Sequence, residues 1–143
     1  MLYSENIRMA MNIAYKAHDN QIDKAGYPYI QHPILVASKM TDEDSTIVAL
    51  LHDVVEDTPI TLAELAESGF NTDIIEAVGL LTKTPKQDYI KYIRRIKKNE
   101  IARKVKIEDL RHNMDLTRLD TVTERDLRRV EKYRRAIEIL EDL

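Results

Sequence analysis

Residues 44 to 57 read DSTIVALLHDVVED, and this stretch decides the fold. Ile47, Val48, Leu50, Leu51, Val54 and Val55 make it an apolar helix, and its far end carries a dense load of histidine and carboxylates. His52 and Asp53 are neighbours about 100° apart on such a helix, so both reach a cation only if it lies between their directions. Glu56 and Asp57, each four residues on, stack one turn further along the same two faces. Burying these groups unpaired is very costly, and a divalent cation compensates them economically. The bland alternative is a solvated helix end with an incidental histidine, which is the commoner reading of His52 taken alone.

Working outward, the pattern on both sides is helical. Ile7, Ala10, Met11, Ala14 and Ala17 predict an amphipathic helix over residues 5 to 19, with Ser4 as its N-cap. Residues 20 to 33, NQIDKAGYPYIQHP, read as an ordered loop, and residues 34 to 40 as a short helix. Thr61 and Glu64 form a capping box for a helix through Ser68, which Gly69 ends. Asn71 or Thr72 caps a helix containing Ile74, Ile75, Val78, Leu80 and Leu81. After Pro85, helical spacing runs through Tyr89 to Ile96 and again through Ile101, Val105, Ile107 and Leu110. Thr123 opens a last helix with Leu127, Val130, Tyr133, Ile137 and Leu140 as its buried stripe. No strand alternation or internal repeat interrupts this, so the expected fold is all-α: one domain over residues 1–143, a compact multi-helix bundle.

Composition narrows the chemistry. The 143 residues include 22 Lys plus Arg against 25 Asp plus Glu, a net charge of −3, which offers no overall attraction to nucleic acid or an anionic membrane. Any phosphate binding must be local. The absence of cysteine excludes disulfides, thiolate nucleophiles and Cys-type zinc sites. The longest clean apolar run, Ile47 to Leu51, is far short of a bilayer span, and the first residues, MLYSENIRM, lack a signal peptide's apolar stretch. The expectation is a soluble, cytoplasmic protein of undetermined oligomeric state.

Two further segments strengthen the metal reading. His32 sits in the Tyr-rich loop between Pro28 and Pro33, and Asp109 and Asn113 are spaced by one turn in VKIEDLRHNM. With PYIQHP (28 to 33), ALLHDVVEDT (49 to 58) and VKIEDLRHNM (105 to 114) in this order, the chain resembles the HD-domain hydrolases. Within them it resembles the RelA/SpoT-type guanosine polyphosphate 3′-pyrophosphohydrolases, small stand-alone forms included; AHDNQ (17 to 21) is a looser match. The resemblance implies that His32, His52, Asp53 and Asp109 hold one divalent metal, that Glu56 and Asp57 are the acid/base and water-orienting pair, and that Asn113 is an outer-shell or substrate contact. The ligand set suits Mn²⁺ and is compatible with Zn²⁺ or Fe²⁺. The implied reaction is in-line attack by a metal-activated water on a phosphorylated nucleotide, without a covalent intermediate.

The chain departs from the family where a basic pair precedes the loop glycine and its arginine packs on the guanine base. Here the stretch is Asp23-Lys24-Ala25-Gly26, which leaves Lys24 for a phosphate, and Asn20 replaces the glycine usual before Gln21. Tyr29 and Tyr27 either stack on a base or pack the loop onto the first helix. Lys91, Arg94, Arg95, Lys97, Lys98, Arg103, Lys104 and Lys106 form a basic run that is a solvated face for the most part, Lys104 and Lys106 being the better candidates for substrate. His112 lines the pocket or faces solvent. Two alternatives stay open: an HD phosphohydrolase for another phosphorylated nucleotide or cofactor, and a non-catalytic nucleotide-binding HD module.

Overall fold

In the computed structural model, which describes residues 1–142, α1 spans Glu5–Ala17, α2 Gln31–Ser38, α3 Glu43–Leu51, α4 Val54–Asp57, α5 Leu62–Glu67, α6 Thr72–Leu81, α7 Tyr89–Lys97, α8 Glu100–Asn113 and α9 Glu124–Glu141, with a 3₁₀ turn at Leu116–Arg118. No strand is present among the described residues, so the all-α expectation holds. Short polar side chains start most of these helices by satisfying backbone N–H groups that the first turn leaves unpaired. Ser4 accepts from Ile7 N, Asp42 from Ser45 N, Asn71 from Ile74 N, and Asn99 from Ala102 N. Thr61 with Glu64 and Thr123 with Asp126 form complete capping boxes. Gly69, at φ +99°, terminates α5 in the left-handed conformation that glycine adopts without a Cβ penalty.

The core forms around α3, in which every residue from Ser45 to Leu51 is buried. Helices α1, α2, α6 and α8 pack around it, which is why it is apolar on all sides instead of along one stripe. Its two buried hydroxyls are satisfied locally: Ser45 Oγ donates to Asp42 Oδ2 and Thr46 Oγ1 to the Asp42 carbonyl. Helix α9 packs on α7 and α8.

The structure corrects the sequence reading at four points. The first helix ends at Ala17, two residues early, because the chain turns at Asn20, whose φ of 66° is tolerated by asparagine better than by most residues. Helix α2 begins at Gln31, not 34, and ends at Ser38. Pro33 falls in its first turn, where a missing N–H breaks no intrahelical bond. The stretch 44 to 57 is two helices, α3 starting at Glu43 and α4 following a break at Asp53, whose φ of −106° and ψ of −1° leave the helical path. Finally, Leu127 of the expected α9 stripe is 54% exposed, while Ala136 and Leu140 are buried in its C-terminal half.

Because Leu50 is fully buried in the helix that α1, α2, α6 and α8 surround, Leu50→Ala is expected to lower the unfolding free energy by about 2–5 kcal/mol, measured by urea denaturation.

Candidate functional site

Three distant segments converge at the C-terminal end of α3. His32 lies in the first turn of α2, not in the loop where the sequence reading put it; His52 caps α3; Asp53 occupies the break; and Asp109 faces inward from α8. One ligand-capable atom from each lies within 4.8 Å of all the others. His32 Nε2 is 2.7 Å from Asp109 Oδ1 and 3.7 Å from Asp53 Oδ2, and His52 Nε2 is 3.0 Å from Asp53 Oδ2 and 3.4 Å from Asp109 Oδ1. At the break Asp53 lies alongside His52, with the two side chains converging on the space between their directions.

His52 tests whether a cation belongs here. Its Nδ1 lies 2.5 Å from the Ala49 carbonyl, which only accepts, so the ring proton is on Nδ1 and the neutral ring leaves Nε2 bare. That Nε2 is buried, has no hydrogen-bond partner, and points its lone pair at two carboxylate oxygens. Such an arrangement needs a positive charge in its midst, either a second proton or a metal. In the metal-free chain burial works against the proton, but Asp53 and Asp109 outweigh it and raise the His52 pKa well above its ordinary value. Conversely, despite burial, His52 pulls Asp53 down to about 2, and Lys106 and the two histidines hold Asp109 well below the usual carboxylate range. Two imidazole nitrogens and two carboxylates fit one divalent cation.

The next layer of side chains holds the four in place. The Tyr29 hydroxyl donates to Asp53 Oδ2, Lys106 Nζ lies 2.9 Å from Asp109 Oδ2, and Asn113 Nδ2 lies 3.1 Å from Asp109 Oδ1. Tyr29 and Lys106, both read from the sequence as substrate contacts, are thus engaged by the cluster itself. Lys106 is turned inward, its ammonium 5.4 Å from the Tyr92 ring centre. Burial and Asp53 raise the Tyr29 pKa, keeping the hydroxyl a donor.

Asp53, Glu56 and Asp57 form a second carboxylate group at the rim. Glu56 accepts a 2.6 Å hydrogen bond from Lys83 N. Burial, then Asp53, raise the pKa of Asp57; burial does the same for Glu56, against the pull of the Lys83 N–H. The buried His18 bonds through Nδ1 to Gln21 Oε1, and Gln21 Nε2 donates to the Asp57 carbonyl, tying the end of α1 to the end of α4.

A cleft of about 310 Å³ opens beside His32 and is lined by Lys24, Tyr29, Asn113, Arg118, Arg129 and Tyr133, among others. Asp23 does not face this cleft as a loose charge. Its Oδ1 accepts from Ala25 N and Tyr27 N, closing the loop, and its Oδ2 pairs with Arg118, whose guanidinium carbon lies 5.7 Å from the Tyr27 ring centre. Sequence reasoning missed Arg118, which is 95 positions from its partner and gives no local signal. It left His112 unassigned, although Asp109, His112 and Asn113 share a helix face; His112 Nδ1 is 2.7 Å from His32 Nδ1. Burial, His32 and Arg118 lower the His112 pKa, which keeps that ring neutral. Of the basic run, Lys91, Arg94 and Arg95 are exposed on α7 and Lys98 at its C-cap, and Lys104 pairs at the surface with Asp42 and Glu100 instead of reaching the site.

The comparison with known families gives a match between residues 10–137 and the model described as an HD domain. Guanosine-3′,5′-bis(diphosphate) 3′-pyrophosphohydrolase of Haemophilus influenzae is 34% identical over 117 residues, covering 71% of this chain and 17% of that protein. The bifunctional (p)ppGpp synthase/hydrolase SpoT of Escherichia coli is 37% identical over 86 residues, covering 57% and 12%. The chain therefore spans less than a fifth of the length of these curated relatives. A solved structure described as a metazoan ortholog of SpoT that hydrolyses ppGpp shares the fold, with a TM-score of 0.79 over 99% of this chain and 89% of that one, at 24% identity.

The raised pKa of Asp57 means that the folded chain binds its proton more tightly than the unfolded chain does. Ionising it above that pKa therefore costs stability, and below the ordinary 3.8 both states are protonated and the cost vanishes. Asp57→Asn is expected to raise the melting temperature of the metal-free protein near neutral pH, with the gain disappearing on acidification to that range.

Proposed function

Because the chain belongs to the HD-domain family, we propose that residues 1–143 form one metal-dependent phosphohydrolase domain, working in the cytoplasm, which removes the 3′-pyrophosphate from guanosine polyphosphates. The observation that carries this reading is the bare, buried Nε2 of His52 aimed at two carboxylates, with His32 of the same cluster opening onto a cleft that holds Lys24, Arg118 and Arg129.

His32, His52, Asp53 and Asp109 hold the ion, for which the mixed imidazole and carboxylate set favours Mn²⁺. When bound, a divalent cation supplies Lewis acidity, easing ionisation of a water and screening a phosphoryl oxygen. Asp57 and Glu56 stand next to Asp53, and their raised pKa values suit groups that take a proton from the attacking water and later release it. The Lys83 N–H fixes the direction of the Glu56 carboxylate. Asn113 spends one amide hydrogen on Asp109 and keeps a second for the substrate. Lys24, Arg118 and Arg129 line the cleft beside Asp23 and Asp115, an excess of one positive charge that gives a phosphate local partners in a chain of net charge −3. No helix among the described residues is long and apolar enough to cross a membrane.

A second substrate reading, another phosphorylated nucleotide, is favoured by the Asp23–Arg118 pair, which brings the guanidinium of the cleft from the 3₁₀ turn instead of the loop.

A nucleotide panel with Mn²⁺-loaded protein and a chelated control decides the substrate: pyrophosphate released from ppGpp is the expected result, and turnover of other nucleotides only would replace it. His52→Ala is expected to lose metal, measured by elemental analysis, whereas Glu56→Gln keeps it and loses about 10²–10⁴-fold in kcat. Arg118→Ala is expected to raise KM about tenfold at nearly unchanged kcat.

A further inference from the structure

His112 contributes no atom to the four-residue cluster, yet it makes a direct hydrogen bond to one of its members. The Nδ1 atoms of His32 and His112 are 2.7 Å apart, the ring planes differ by 13° and the centroids are 4.9 Å apart. Parallel rings stacked face to face cannot bring atoms closer than about 3.5 Å, so these two lie nearly coplanar, edge to edge. Each nitrogen then points its in-plane orbital at the other. One proton lies between them, because two bare nitrogens would oppose lone pairs and two N–H groups would oppose hydrogens.

Which ring carries that proton decides what His32 offers to the cluster. If His112 donates, the His32 proton resides on Nε2, aimed at Asp109; if His32 donates, its Nε2 presents a lone pair. His52 settles the same question with the Ala49 carbonyl, available because His52 ends a helix. His32 sits at a helix start, where the free backbone groups are N–H donors and the carbonyls point away along the axis, so no local acceptor is within reach. An acceptor must come from another element. Helix α8 provides it one turn from Asp109, on the face that already meets α2.

The geometry points to His112 as a positioning residue that, by accepting from His32 Nδ1–H, selects the His32 tautomer with a bare Nε2 and aims that nitrogen at the cation. This rests on the metal-site reading above and adds a fifth side chain to it. The partner is a neutral imidazole where a carboxylate or backbone carbonyl is the usual choice.

The test is Mn²⁺ titration by calorimetry, with the fold of each variant checked by circular dichroism. His112→Phe keeps a ring beside His32 but has no acceptor, and its affinity is expected to fall about 10–100-fold. His112→Asn lacks the ring but places a carbonyl oxygen where Nδ1 was, and is expected to return close to wild type. Wild-type affinity in His112→Phe, or equal loss in both variants, would overturn the assignment. Nitrogen-15 spectra of the Zn²⁺-loaded wild type give an independent answer: His32 protonated at Nδ1 and His112 bare at Nδ1 is expected, and the reverse refutes it. Wild-type protein that takes up neither ion fails at the metal site itself, a result separate from all of these.

Discussion

The His52 Nε2 lone pair faces Asp53 and Asp109 at the buried end of α3, after the apolar run Ile47 to Leu51, and around this charge problem the neighbouring elements are arranged. Tyr29 from the loop and Lys106 and Asn113 from α8 each answer with a donor, and His32 from α2 brings its Nε2 to 2.7 Å from Asp109 Oδ1. A buried carboxylate stripped of one such partner is strongly destabilising, so these side chains serve the fold as much as the chemistry. The apolar packing of α3 against four helices gives the cluster a floor, and Asp53, at the break that follows, places a second ligand-capable group 3.0 Å from His52 Nε2.

Much of the fold was legible because caps and apolar spacing are local signals. Ser4, the Thr61–Glu64 pair and Thr123 mark helix starts where they stand, and the stripes of α6, α7 and α8 follow their 3.6-residue period. What was not legible depends on context. Pro33 reads as a stop from sequence, but the first turn of α2 accommodates it. The break at Asp53 is hidden because Val54 and Val55 continue the apolar run. The motifs named the four residues that the structure brings within reach of one ion, but not the contacts that Tyr29 and Lys106 make with Asp53 and Asp109. A lysine facing solvent and a lysine folded over a tyrosine ring look alike in one dimension, and Tyr92 of α7 supplies that ring from outside the motif. The Asp23–Arg118 pair joins positions that no spacing rule connects.

The rim and the floor of the site follow opposite rules. Below, each charge is matched and held; above, partial burial and then the nearby Asp53 leave the carboxylates of Asp57 and Glu56 poorly stabilised. Carboxylates fully satisfied by their surroundings have little reason to take a proton, so in the proposed reaction this poor stabilisation is what would fit the pair for proton transfer.

His32, His52 and Asp109 come from three stretches of chain separated by tens of residues, and the unfolded polymer holds no comparable pocket. Any ion seated among them acts as a rivet through the tertiary structure. Each tenfold rise of free ion above its dissociation constant adds about 1.4 kcal/mol to folding. Heat tolerance would then be a property the protein shares with its surroundings, rising and falling with the local supply of metal.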